Sequence, residues 1–108
     1  MPTNLWHLVV LSSAQKKLDA LPTSKVQKAV IAHIDELVRA VNPKQIPGVK
    51  KLRGKEFRGK WRQRYGNYRI IFSVVSAEIV VDGITYKGTL TVEDVDHRSK
   101  VYDLMFSE

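Results

Sequence analysis

In the N-terminal part of the chain, a strand-like run of apolar residues is followed by apolar residues at helical spacing. Leu5 to Leu11 form a short apolar run rich in β-formers, which predicts a largely buried first strand. A first helix is indicated after it, because Ser12 and Gln15 have capping-box spacing and apolar residues then recur at helical intervals until Pro22. The chain therefore begins as a strand followed by a short helix.

A longer second helix is predicted from a second capping box and a continuous apolar stripe. Ser24 with Gln27 opens this helix, and Asn42-Pro43 ends it. The stripe consists of Val26, Val30, Ile34, Leu37 and Val41. Because these residues share one side of the second helix, we expect that side to be buried. We expect both helices to pack on the same sheet.

The second half of the chain carries β-rich segments separated by turn signals. Residues 44–60 lose periodicity and predict a loop. Residues 61–65 and 67–75 flank Gly66-Asn67 and predict an antiparallel hairpin, and further β-rich pieces follow at 79–81, 84–86 and 89–95. We therefore expect an α+β fold, in which two N-terminal helices pack on one face of a curled antiparallel sheet.

Composition narrows the class of protein. The 108 residues are 44% hydrophobic and 27% charged, which is typical of one soluble globular domain spanning residues 1–108. The sequence has neither a bilayer-length apolar run nor a signal peptide, so we expect a cytoplasmic protein with no membrane partner. Without cysteine, and with three scattered histidines, it offers no metal-binding motif, and we expect no cofactor.

Positive charge is concentrated in one fifth of the chain. The net charge is +7, and nine of the eighteen basic residues fall between positions 50 and 69, where Glu56 is the one acid. They are Lys50, Lys51, Arg53, Lys55, Arg58, Lys60, Arg62, Arg64 and Arg69. In a strand, Lys60, Arg62 and Arg64 share a face, and Arg69 begins the next strand. A charge run is often only a solvated surface, but this arginine-rich run with interleaved aromatics favours nucleic-acid contact through a concave surface of several guanidinium groups.

The order of several short motifs resembles the RelE/ParE superfamily of bacterial toxin–antitoxin toxins, which are small basic β-α-α-β-β-β proteins. The motifs are Ala20-Leu21-Pro22, Lys50-Lys51-Leu52-Arg53-Gly54, the hairpin from Trp61 to Phe72, and His97-Arg98-Ser99-Lys100-Val101-Tyr102. The resemblance covers nearly the whole chain. It implies a toxin, an antitoxin partner with an acidic or amphipathic segment over the basic site, and mRNA and the ribosome as targets.

In the RelE-like branch, the resemblance implies an mRNA endoribonuclease that needs no metal. The ribose 2′-hydroxyl attacks the adjacent phosphate and leaves a 2′,3′-cyclic phosphate. Arg69 matches the strand arginine that stabilises the transition state, and Arg62 and Arg64 match a pair of strand positions that are often lysines. Arg98 matches the late arginine, and Tyr102 the C-terminal tyrosine that orients the substrate. Lys50, Lys51, Arg53, Lys55, Arg58 and Lys60 are expected to bind RNA.

The identity of the general base is open, because arginine occupies both of the paired strand positions. Arginine is a poor proton acceptor, so a base must come from elsewhere. His97 is the first candidate because an imidazole suits proton transfer near neutral pH, and Lys60, Lys51 and Tyr102 are alternatives. A further alternative is that no base is positioned, in which case the protein is a weak nuclease whose catalysis is mostly electrostatic.

Two further functions remain open. The ParE-like branch implies a DNA gyrase inhibitor without nuclease chemistry, although Arg69, Arg98 and Tyr102 together favour RNA cleavage. An inactive nucleic-acid-binding relative is the third possibility. The segment 76–88 is longer than a compact member of the superfamily needs, and it could be an extended hairpin or a new contact surface.

Overall fold

The computed structural model describes residues 4–97, so Arg98 and Tyr102 lie outside the described part. Two helices follow the first strand, and six further strands complete the fold. The elements are β1 (Trp6–Val10), α1 (Ser12–Asp19), α2 (Ser24–Arg39), β2 (Val49–Lys51), β3 (Lys60–Tyr65), β4 (Tyr68–Val75), β5 (Ile79–Val81), β6 (Ile84–Tyr86) and β7 (Gly88–His97), with 3-10 turns at Pro43–Gln45 and Lys55–Phe57. The expected α+β fold with two helices packed on a sheet is confirmed.

Both helices begin at the residue that was predicted to cap them, one position earlier than expected. Ser12 and Ser24 are the first helical residues, so neither is an N-cap. The side chain of Thr23 caps α2 by accepting a hydrogen bond from the Val26 amide at 3.2 Å, whereas Leu11 precedes α1 without a side-chain cap. The two predicted capping boxes are therefore wrong, although both predicted helices are present.

The main sheet is mixed rather than wholly antiparallel. Its order is β1-β7-β4-β3-β2, and β1 runs parallel to β7 while the other pairs are antiparallel. A parallel pair needs a long crossover, which the two helices and the intervening strands supply. The segment predicted as a loop at 44–60 contains the edge strand β2 and the second 3-10 turn, and it overlaps the end of the first.

The two faces of the sheet have different surroundings. One face packs under the helices, where Ile70 and Phe72 of β4 join Leu18 and Ile34 in the main core. On the other face, Ile71 forms a small cluster with Leu52 and Phe57. Successive strand residues point to opposite faces, so this division fixes the direction of every side chain on β3 and β4.

The segment 76–88 forms a separate hairpin of β5 and β6, with its turn at Asp82-Gly83. It lies in the connection between β4 and β7 and forms a two-stranded sheet of its own, separate from the main sheet. Among residues 4–97, no helix has the length and apolar content that a bilayer crossing needs.

Candidate functional site

Strand register places the predicted arginines on the face of the sheet away from the helices. Arg62 lies opposite Ile71, and Arg64 lies opposite Arg69. Because Ile71 belongs to the cluster on the helix-free side, Arg62, Arg64 and Arg69 project there as well, and we call this side the arginine face. Arg62 and Arg69 are diagonal neighbours, a relation that separates residues by about 7–8 Å.

Arg62 is held inside the protein. Its side chain is 1% exposed, and its Nη1 donates a 2.8 Å hydrogen bond to the carbonyl oxygen of Gly48. The same carbonyl accepts a 3.2 Å hydrogen bond from the Arg64 amide. Gly48 has a φ of +89°, a conformation that favours glycine and turns the chain into β2 beside the arginine.

Arg69 is also buried, at 1% exposure, and its guanidinium folds back over the β3–β4 turn. Its Nη1 donates to the carbonyl oxygen of Tyr68 at 3.1 Å and lies 3.5 Å from that of Gly66. Of the three hairpin arginines, Arg64 alone is exposed. The expected open surface of guanidinium groups is therefore a largely covered one, and Arg62 and Arg69 both donate hydrogen bonds to main-chain carbonyls of the neighbouring turns.

Five of the six predicted RNA-binding residues, all except Lys60, gather in one cleft beside the arginine face. The cleft has a volume of about 930 Å³ and is bounded by β2 and the loop that follows it. Its lining consists of Lys50, Lys51, Leu52, Arg53, Gly54, Lys55 and Arg58, and we call it the cationic cleft. All five cations are exposed, so a polyanion can reach them directly.

Lys60 differs from the other predicted RNA-binding residues because it is paired with an acid. Its Nζ lies 2.7 Å from Oε1 of Glu93. The register of β4 and β7 shifts between Ile71 and Phe72, which leaves Glu93 as an extra residue in a β-bulge. A bulge re-aims a side chain, and here Glu93 reaches Lys60 on the arginine face.

Acidic residues at the end of β7 were missed by the sequence analysis. Asp94 and Asp96 both pair with Lys17 of α1, at 2.7 Å and 3.0 Å. The hydrogen bond to Asp94, helped by Asp96, raises the pKa of Lys17 above 10.5. Three acids within residues 93–96 of an otherwise basic protein were the available signal.

The structure does not bring His97 to the arginines. Asp96 lies opposite Arg69, so the next residue, His97, points to the helix side. There its ring makes an edge-to-face contact with Tyr68 at 5.6 Å between centroids. The first candidate for the general base therefore lies across the sheet from Arg62 and Arg69.

Neither a protein-family model nor a curated protein matches the chain, but solved structures do. The archaeal RelE–RelB complex from Pyrococcus horikoshii OT3 matches with a TM-score of 0.61 and 21% identity, over 89% of this chain and 98% of the other. The toxin–antitoxin complex RelBE2 from Mycobacterium tuberculosis gives 0.59 and 23%, over 86% and 98%. The YoeB/ParE toxin from Agrobacterium tumefaciens gives 0.55 and 18%, over 84% and 96%. The chain therefore has the RelE/ParE-like toxin fold.

Proposed function

We propose that this chain is the toxin of a toxin–antitoxin pair and that it cleaves mRNA on the ribosome. The observation that carries the proposal is the diagonal placement of Arg62 and Arg69 on one face, beside a cleft with five exposed cations. The fold supports it, since its solved neighbours include toxin–antitoxin complexes. A net charge of +7 favours RNA as the partner.

The proposed reaction is attack of a ribose 2′-oxygen on the adjacent phosphorus, with departure of the 5′-oxygen. Guanidinium groups stabilise the negative charge that develops on the phosphate oxygens. The cationic cleft holds the flanking backbone, and this positioning lowers the entropic cost of reaction. Because Arg62 and Arg69 are each 1% exposed, the proposal requires that RNA binding uncovers them.

A proton acceptor for the 2′-hydroxyl must also lie near the arginines. Of the candidates from the sequence, Lys60 shares the arginine face, two strand positions from Arg62. Lys51 lines the cationic cleft, His97 points to the other side, and Tyr102 is outside the described residues. The ammonium of Lys60 donates to Glu93 at 2.7 Å and so has no lone pair that could accept a proton. We therefore assign the role to Lys51, which stands among the cations of the cleft, before His97. Loss of cleavage in His97→Ala with full cleavage in Lys51→Met would reverse this order.

The experiment is primer extension on cellular mRNA after induction of the protein. We compare wild type with Arg69→Ala and Arg69→Lys, and with Arg39→Ala as the control. Arg39 is an exposed helix residue whose 2.8 Å ion pair joins Asp35, away from the arginine face. We expect new mRNA ends with wild type and the control, and a loss of about 100-fold or more for both Arg69 variants, as for removal of an oxyanion donor.

Because Arg69 is buried, its substitution can destabilise the fold. Thermal unfolding of each variant therefore shows whether the proteins being compared are folded. Arg69→Lys keeps the charge but loses the planar fork. If a folded Arg69→Lys protein cuts mRNA as fast as wild type, the proposed role of the guanidinium is wrong.

A gyrase inhibitor is the second candidate, and a specific observation favours it. Arg62 and Arg69 already donate hydrogen bonds to main-chain carbonyls, as arginines with a structural role do. One solved neighbour is itself a YoeB/ParE toxin. Intact mRNA together with gyrase-dependent DNA breaks after induction would establish this function instead of RNA cleavage.

An antitoxin is the proposed protein partner. The cationic cleft offers five exposed cations, which suits an acidic segment of a partner. Co-expression of a small acidic protein encoded beside this gene should suppress toxicity. A combined Lys51→Ala, Arg53→Ala and Arg58→Ala variant should weaken that complex, and unchanged affinity would place the partner elsewhere.

A further inference from the structure

A second cavity opens on the arginine face, next to Ile71. Its volume is about 290 Å³, just below the roughly 300–1,000 Å³ range of ligand pockets. Its walls combine apolar and charged side chains from five parts of the chain. They are Leu11, Phe57, Lys60, Ile71, Glu93, Asp94 and Asp96, and we call this cavity the β7 pocket.

The apolar walls of the β7 pocket suit a flat ring. Phe57 comes from the 3-10 turn before β3, and Ile71 comes from the floor of the sheet. The two side chains pack in the same small cluster. Aromatic and aliphatic walls of this kind stack on unpaired bases of single-stranded RNA.

The polar groups of the β7 pocket present one donor and two acceptors. The ammonium of Lys60 is the donor, and it already touches Oε1 of Glu93. Within residues 4–97, the second carboxylate oxygen of Glu93 accepts no hydrogen bond, and neither does Oδ2 of Asp94, whose Oδ1 receives Lys17 and the Val95 amide. Asp96 is a less available acceptor, because its two carboxylate oxygens already accept hydrogen bonds from the Lys17 ammonium and the His97 amide.

We propose that the β7 pocket binds a guanine base of the RNA strand that lies on the arginine face. Guanine presents one acceptor, O6, followed by two donors, N1–H and N2–H. Lys60 matches O6, Glu93 matches N1–H, and Asp94 matches the N2 amino group. The inference rests on the proposed function for its substrate class, and it adds a base preference that the toxin fold does not assign.

The other bases match this arrangement less well. Adenine and cytosine each place a ring-nitrogen acceptor where Glu93 needs a donor, and uracil has one donor between two acceptors. A carboxylate facing an acceptor is left without a partner, and such mismatches are strongly rejected. Discrimination therefore comes from Glu93 and Asp94, while Phe57 contributes to the binding of any base.

The test measures binding of hexamers of 2′-deoxyuridine, which cannot be cleaved because they lack 2′-hydroxyls. One position carries guanine, hypoxanthine, adenine or uracil, and affinity is followed by fluorescence anisotropy. Hypoxanthine keeps O6 and N1–H but lacks the N2 amino group. We expect guanine to bind at least about fivefold more tightly than adenine or uracil, the lower limit for a good base contact, with hypoxanthine in between.

Two variants assign the contacts, and a third is the control. Glu93→Gln should reduce the guanine preference to below about twofold, and Asp94→Asn should bring guanine close to hypoxanthine. Asp35→Asn changes the charge equally, but Asp35 pairs with Arg39 on α2, so the preference should persist. Thermal unfolding of each variant shows that the comparison is between folded proteins.

Failure of this inference is distinguishable from failure of the proposed function. Equal affinity of the wild type for all four hexamers, with mRNA still cut in cells, would overturn the guanine pocket and leave the ribonuclease proposal standing. An unchanged guanine preference in folded Glu93→Gln and Asp94→Asn would overturn the assignment of the β7 pocket. Intact mRNA with wild type would contradict the proposed function itself.

Discussion

Arg62 and Arg64 are separated by one residue and share a face, yet their surroundings differ. Arg62 is buried against the carbonyl of Gly48, while Arg64 extends into solvent. A buried hydrogen bond from a charged group contributes more than an exposed charge, which water and salt screen. The two positions therefore form a matched pair for measuring what burial adds.

Replacing each of these arginines by lysine should give unequal losses of stability. Arg62→Lys keeps the charge but cannot reproduce the 2.8 Å bond and the packing of the guanidinium plane. We expect it to lower the free energy of unfolding by about 1–3 kcal/mol, and Arg64→Lys by less than about 0.5 kcal/mol. Urea denaturation checks this, and equal losses would mean that Arg62 is not held by its buried contacts.

Lys17 gives a pH-dependent prediction at the same scale. Its pKa is raised by Asp94 and Asp96, so the folded state favours the ammonium. That stabilisation is fully present below pH 10.5 and is lost as the pH rises through the higher folded value. Because the side chain is 42% exposed, Lys17→Met should cost only about 0.2–1 kcal/mol at pH 7.

The control for this prediction is Lys16→Met, on the exposed side of the same helix. Denaturant unfolding of both variants and wild type at pH 7 and above pH 10.5 gives the comparison. The deficit of Lys17→Met should shrink at the higher pH, whereas Lys16→Met should track wild type at both values. A Lys17→Met deficit that grows with pH would contradict the assigned ion pair.

Side-chain direction on β3 followed from alternation alone, but burial did not. The sequence placed Lys60, Arg62 and Arg64 on one face and Trp61 towards the core, as the structure shows. Arg62 and Arg69 are buried and donate hydrogen bonds to carbonyl groups of residues 48, 66 and 68, which no side-chain pattern encodes. Glu93 was likewise out of reach, because its direction comes from a bulge.

At the scale of elements, the helix starts provide a clean test of capping. Thr23 accepts the hydrogen bond of the Val26 amide, whereas the sequence pattern had favoured Ser24. Thr23→Ala should lower the free energy of unfolding by about 1 kcal/mol, the usual cost of losing an N-cap. Ser24→Ala should change it by less than about 0.5 kcal/mol, because alanine is a good helix former.

Thermal or urea unfolding of the two alanine variants decides between the caps. A larger loss for Ser24→Ala than for Thr23→Ala would restore the capping box of the sequence pattern. Both variants leave the arginine face unchanged, so RNA cleavage should be retained in each.

Local patterns predicted most elements and the antiparallel β3–β4 hairpin, but not the pairing of strands that are distant in sequence. The apolar stripe of α2 and the Gly66-Asn67 turn are local signals, and both elements formed. The parallel contact of β1 with β7 joins residues about eighty positions apart, and β2 is a three-residue edge strand with two exposed lysines. Neither leaves a periodic signature, so the mixed sheet and β2 could not be derived from the pattern.

At the scale of the whole molecule, charge is distributed unevenly across the arginine face. Exposed cations line the cationic cleft at one side, while Glu93 and Asp94 line the β7 pocket at the other. Arg62 and Arg69 lie between the two, on β3 and β4. We therefore propose that the cationic cleft binds the RNA backbone, that the arginines contact the scissile phosphate, and that the β7 pocket binds one base.

The most direct test of this account is the chemistry of the cut ends on ribosome-bound mRNA. Purified protein is incubated with programmed ribosomes, and the product termini are analysed by mass spectrometry. The account predicts a 2′,3′-cyclic phosphate and a 5′-hydroxyl, with no cut where the nucleotide before the scissile phosphate lacks its 2′-hydroxyl. Inhibited translation with every mRNA intact would contradict it.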